Sequence, residues 1–182
     1  MAELRIASDC LQAIARAAAA SYPQECCGLL VGQRFFAATM GSAPAIETHR
    51  VVTAVVATDN AWEPSLLSYT DAQGQDSQAP GEAHSVGDRY WIDPAVMLQV
   101  QRSTREQGLE IVGIYHSHPD HPAIPSECDR TLAWPVYSYI IASVRQGQVV
   151  DLKSWRLDGQ HQFQPEPVKM IGSSANKAPF LS

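Results

Sequence analysis

At 182 residues, 45% of them hydrophobic and 18% charged, the chain has the length and apolar content of one ordinary globular domain with its own core, and is too short for two. A net charge of -6, with no lysine–arginine cluster, excludes non-specific nucleic-acid binding, which needs a basic surface to neutralise phosphates. None of the four cysteines (Cys10, Cys26, Cys27, Cys128) has C-x-x-C spacing, which excludes a zinc knuckle or a thioredoxin motif and points to reduced thiols in a cytoplasmic protein.

Glu3 to Ala7 predicts a short strand, and Ser8 or Asp9 then caps a helix through Ala20 with Leu11, Ile14 and Ala18 on one face. Asp9, Gln12 and Arg16 break up the alanine-rich stretch, so it does not read as a leader, and no later run reaches the roughly 18 apolar residues of a membrane span. Tyr22-Pro23 ends the helix. Cys26 to Gly32 and Arg34 to Met40 predict two strands of a hairpin or meander, with Glu25 just before the first. The β-branched residues between Ile46 and Thr58 predict another strand, buried on both faces at its apolar centre.

Residues 59–88 carry too little apolar content to pack, and are expected to form a long polar loop, either a lid or an unordered insertion in which His84 is solvated. Asp93-Pro94 opens a helix, acid at the N-cap and proline at the first turn, that runs to about Gln107 and stops at Gly108. Leu109 to Tyr115 follows as an apolar strand, then a short helix from Ser126 to Trp134, and two strands, Val136–Val144 and Gln148–Leu157, joined around Gln146-Gly147.

Chemistry concentrates after the Leu109 strand, in His116-Ser117-His118 and Ser126-Glu127-Cys128-Asp129. Side chains alternate along an extended chain, so His116 and His118 face one side and can grip one ion, while Ser117 faces the other. The intervening segment contains Pro119, Pro122 and Pro125, whose fixed φ and missing donors make a stiff loop able to bring Asp129 back to the histidines. Two neutral imidazoles and one carboxylate give a zinc ion three ligands and leave a fourth position for water, which is a catalytic rather than a structural arrangement. Ser126-x-x-Asp129 also has the spacing of a capping box, a role compatible with the serine hydroxyl facing the metal. Cys128 is expected to be a small buried hydrophobe rather than a metal ligand, and Asp120 and His121 to contact substrate or solvent rather than supply a fourth ligand.

Glu25 before Cys-Gly-Leu-Leu-Val-Gly, the preceding Tyr22-Pro23-Gln24, His116-Ser117-His118-Pro119, Ser126-x-x-Asp129 and the strand Tyr137 to Ile141 together resemble the JAMM (MPN-plus) metallopeptidases, in their compact bacterial branch. The resemblance covers roughly residues 1 to 160 apart from the insertion. It implies an α+β fold, a curved mixed sheet flanked by helices of the MPN or cytidine-deaminase-like kind. The expected organisation is a catalytic domain over 1–164, with 59–88 as a polar insertion, and a partly disordered tail over 165–182. It also implies hydrolysis of the amide bond after the C-terminal glycine of a ubiquitin-like or sulfur-carrier protein. Zinc would be held by His116, His118 and Asp129, with Glu25 as general base on the zinc-bound water and Ser126 as donor to the developing oxyanion. Neither a nucleic acid nor a membrane is an expected partner. Two rivals keep the fold or the ligands: a non-catalytic scaffold of the same family, and a ferrous enzyme using two histidines and one carboxylate.

Overall fold

The computed structural model describes residues 3–38, 45–63, 69–70, 76–77 and 89–173. The elements in chain order are β1 (Glu3–Ala7), α1 (Ser8–Ser21), β2 (Cys27–Ala37), β3 (Ile46–Thr58), β4 (Tyr69–Thr70), β5 (Asp76–Ser77), α2 (Pro94–Arg105), β6 (Glu110–Pro119), α3 (Glu127–Leu132), β7 (Ser138–Arg145), β8 (Gln148–Leu157), β9 (Phe163–Glu166) and β10 (Val168–Ile171). Apart from the pair β4–β5, the strands form one mixed sheet in the order β10-β1-β3-β2-β6-β7-β8-β9. Among the described residues no helix is long and apolar enough to cross a membrane.

The two ends of that order meet. β9 pairs with β8 and β10 pairs with β1, yet only Pro167 separates β9 from β10. The sheet therefore curls until a single segment holds both of its edges, and the Leu4 amide donates to the Pro167 carbonyl at the joint (2.9 Å). The boundary expected at residue 164 falls inside β9, because the tail residues are used in backbone pairing, with most of their side chains exposed and the buried Glu166 hydrogen-bonded.

Sequence and structure differ at three further places. β2 is one continuous strand and not two; it passes the glycine-bounded stretch with a register shift at Val31/Gly32. A strand absorbs an extra residue as a bulge more readily than it folds back without turn residues at the right spacing. The helix starts at Ser8, which makes Ala7 the N-cap, with no side-chain cap. On β3, Val52 and Val56 are buried while Val51 and Val55 are half-buried, so one face is covered more completely than the other. Met40 and most of the expected insertion, including His84, lie outside the described residues.

The core has two parts, one on each face of the sheet. On one face Cys10, Ile14 and Ala18, one helical turn apart, set α1 against Leu4, Ile6, Leu30, Val52 and Ile140. On the other, Leu29, Val31, Ile111, Ile114 and Tyr139 pack with Ile92 and with Val100 of α2. Each fully buried aliphatic side chain contributes roughly 1.5–3 kcal/mol. The Asp93 side chain accepts from the Ala95 amide (2.7 Å) and caps α2 as the sequence leads one to expect. Gln146 and Gly147 both have positive φ, which suits a tight turn between β7 and β8.

Candidate metal centre

β6 ends in His116-Ser117-His118, and its parity sends the two imidazoles to the same face and Ser117 to the other. The Ser117 hydroxyl accepts from the Cys26 amide (2.9 Å), and the Ser117 amide donates to the Cys26 carbonyl (3.1 Å). Cys27 is paired with His116, so continuing this antiparallel register by two residues sets Glu25 opposite His118 on the histidine face. Glu25 is buried, at 5% exposure. Gly28, the next residue after Cys27, leaves no room for a side chain between Tyr115 and β3.

The proline loop is pinned along its length. The Asp120 amide donates to the Val144 carbonyl (2.7 Å), the Ser143 hydroxyl to the His121 carbonyl (2.6 Å) and the Trp155 indole N–H to the Ala123 carbonyl (3.1 Å). His118 Nδ1 lies 2.9 Å from the Pro122 carbonyl, which can only accept, so Nδ1 carries the proton and Nε2 presents a lone pair. The chain then enters α3 through a capping box: Ser126 Oγ accepts from the Asp129 amide (3.1 Å) and the Ser126 amide donates to Asp129 Oδ2 (2.6 Å). The Ser126 hydroxyl also donates to Asp129 Oδ2 (2.7 Å), which directs its proton at the carboxylate.

Three donors converge. His116 Nε2 is 3.1 Å from His118 Nε2 and 3.2 Å from Asp129 Oδ1, and His118 Nε2 is 3.4 Å from Asp129 Oδ2. A tetrahedral ion with bonds of about 2.0–2.1 Å spaces its ligands about 3.3 Å apart; the two imidazole nitrogens stand at about that spacing from each other, and each from a different oxygen of the Asp129 carboxylate, so the donor set suits such a site. Burial lowers the His116 pKa against the opposing pull of Asp129, which favours the neutral, ligating form. Burial alone would raise Asp129, but His116, His118 and Ser126 together hold it well below the usual carboxylate range. His116 Nδ1 is buried without a hydrogen-bond partner among the described residues. Cys128 is not part of the converging group and lines an adjacent cavity.

Several neighbours had no local signal in the sequence. Tyr90 stacks on the His116 ring (centroids 4.3 Å apart), and its burial pushes the phenol well above its usual pKa, so it stays neutral. Asp120 is neither ligand nor idle: its Oδ2 accepts from the Tyr22 hydroxyl (2.9 Å), tying the segment before Glu25 to the loop after His118. The Asn60 side-chain amide donates to the Glu25 and Arg89 carbonyls (3.3 and 2.9 Å), while its oxygen accepts from the Trp62 and Trp91 amides (3.1 and 3.0 Å).

Residues 7–158 match the family described as prokaryotic homologs of the JAB domain. The chain belongs to that family. Desampylase from Haloferax volcanii is 40% identical over 55 residues, which are 30% of this JAB-family chain and 40% of that protein. A probable TtuB-protein conjugate cleaving protease from Thermus thermophilus is 40% identical over 53 residues, 29% of this chain and 35% of that one. The chain therefore spans less than half the length of either relative. A protein from Desulfitobacterium hafniense, solved in solution, is 23% identical with a TM-score of 0.66 and coverage of 94% of this chain and 95% of that one, a likeness of fold.

Proposed function

We propose that this JAB-family protein is a zinc-dependent peptidase or isopeptidase that hydrolyses the amide bond after the C-terminal glycine of a ubiquitin-like or sulfur-carrier protein. The observation that carries the reading is the convergence of His116, His118 and Asp129, and the buried Glu25, which the register of β2 on β6 sets on the same face, supports it. The similarity to a desampylase and to a conjugate-cleaving protease supports the substrate class. Four free cysteines support a reducing, cytoplasmic setting. The unit responsible would include the strands up to Ile171, since they close the sheet.

A zinc ion bound by the three donors would polarise the scissile carbonyl and bring the pKa of a coordinated water to about 7. Glu25 takes the water's proton and passes it to the leaving nitrogen, so the hydroxyl ends on the carbonyl carbon, the C–N bond breaks and the amine departs neutral. Ser126 turns its hydroxyl from Asp129 to the oxygen of the attacked carbonyl as charge develops there. Ser117 and Asn60 hold the Glu25–Cys26 peptide from its amide and its carbonyl, and Tyr90 backs the His116 ring.

The test is incubation of the zinc-loaded protein with ubiquitin-like proteins extended past Gly-Gly, with products identified by mass. Glu25→Gln is expected to keep stoichiometric metal and lose at least about a hundredfold in kcat, in line with the usual worth of a general base. Metal-dependent cleavage that survives this substitution unchanged would remove Glu25 from the mechanism. A His116→Ala protein that still binds zinc in full would misplace the site. Metal analysis separates this reading from a ferrous enzyme.

A further inference from the structure

A cavity of about 310 Å³ opens beside the donor triangle and reaches Asp129 and Tyr90. Its walls are apolar: Met97 and Leu98 of α2, Leu132 of α3, then Trp134, with Ile114 and Tyr139 beneath. Leu98 and Trp134 stand at 47% and 65% exposure, large apolar groups held open to solvent. A space of this size and lining takes one large apolar side chain. Arg89 is the one basic residue among the described residues of the lining.

We propose that this cavity holds the side chain of an apolar C-terminal residue released as the leaving amine, and that Arg89 binds the free carboxylate of that residue. The inference rests on the hydrolase reading and sharpens its substrate class to carriers extended by one apolar residue through an ordinary α-peptide bond. A tail ending in Gly-Gly offers no side chain on the acyl side of the scissile bond. At about 3.3 Å per residue, the first acyl-side side chain in an extended tail starts some 7 Å upstream. A cavity touching a metal donor is filled more directly from the other side of the bond.

The Arg89 guanidinium carbon lies 5.9 Å from the centroid of the Trp62 ring. A guanidinium presents its N–H groups in a planar fork that matches a carboxylate. Arg89 and Asp129 line the same cavity, so the Arg89 charge stands in the space that borders the donor group. The whole chain carries -6, so a cation here is a local reversal that suits an anionic substrate end.

Three substrates decide it: a Gly-Gly tail extended by phenylalanine as the free acid, the same peptide as the C-terminal amide, and the tail joined to a lysine ε-amine. Each is followed by kcat/KM with the zinc-loaded protein and with Arg89→Gln and Arg89→Lys. The free acid should be cleaved about tenfold or more faster than the amide, the worth of a charge-assisted contact. That ratio should fall towards one in Arg89→Gln and lie between in Arg89→Lys, which keeps the charge and loses the fork. Trp134→Ala should lower the preference for phenylalanine over alanine as the released residue. Equal rates for acid and amide, a preference that survives Arg89→Gln, or fastest cleavage of the lysine-linked tail would each overturn the inference and leave the hydrolase reading standing. Failure to cleave any of the three would overturn both.

Discussion

At the scale of single residues, the centre works by burying groups whose ionisation is then settled by neighbours. His116 is fully buried, and its lowered pKa has a consequence for the metal-free protein. An unfolded histidine titrates near 6.5, so below that pH the unfolded chain binds a proton that the folded chain resists. Stability of the metal-free protein should therefore fall as pH drops through about 6.5. Asp129 acts in the same direction at lower pH: its depressed folded pKa contributes stability above the ordinary aspartate value, lost as pH falls through the folded one. Thermal melts of zinc-stripped protein between pH 8 and 5 should show this decline, with a smaller slope in His116→Gln. The candidate ligand residues themselves are legible in the sequence for a local reason. Strand parity relates 116 to 118, and the first turn of α3 relates Ser126 to Asp129, so spacing carries the geometry within each pair, though not how the two pairs meet. Tyr90 on His116 and Asp120 on Tyr22 carry no such spacing, because a strand, a helix or a whole half of the sheet intervenes.

At the scale of elements, the proline loop between β6 and α3 is the part that converts two histidines into a three-donor site. Prolines make the loop legible as stiff, but stiffness does not say where it points. That is decided by Ser143 and Trp155, on β7 and β8, which hold the His121 and Ala123 carbonyls of the loop. Trp155→Phe keeps most of the packing and deletes one hydrogen bond, with an expected loss of about 1 kcal/mol in stability. Zinc affinity should weaken alongside it, because Asp129 follows this loop; competition with a chelator reads the affinity and a melt reads the stability. A loss of stability with unchanged affinity would mean that the capping box alone positions Asp129. The continuity of β2 belongs to this scale too. A glycine-bounded run followed by a second apolar run reads locally as a turn, while the pairing of one strand with both β3 and β6 makes it a single long element.

At the scale of the molecule, the closing segment 163–171 is tied in by side chains as well as by backbone. Glu166, buried on β9, accepts from Ser154 (2.6 Å) and Ser138 (3.1 Å), and Ser138 in turn accepts from the buried Arg50 (3.2 Å) of β3. Arg50 also donates to the Val112 carbonyl (2.9 Å) and to Glu47 (2.8 Å). Strands from across the sheet thus share one polar network. Glu166→Ala would strand two hydroxyls and weaken the surroundings of a buried cation, an expected cost of about 2–4 kcal/mol. Ending the chain at residue 164 should cost more, since it also opens the sheet between β1 and β8; circular dichroism melts of the two proteins would order them. A composition rich in proline, serine and lysine reads as a partly disordered tail outside the domain because composition does not report pairing. The network itself leaves no periodic trace, as its members are scattered from Glu47 to Glu166.

Asn60 joins both ends of the long polar segment, and beside it the Ala61 amide donates to the Trp91 carbonyl (2.9 Å). The segment is thus a closed ring in the polymer sense, and the free energy of closing such a ring grows only with the logarithm of its length. Replacing residues 64–88 by a six-residue glycine–serine linker should change folding stability by only about 1 kcal/mol and leave zinc content intact. If so, the two stems act as a socket whose grip does not depend on the length of what it holds, and the metal donors are insulated from changes within that segment.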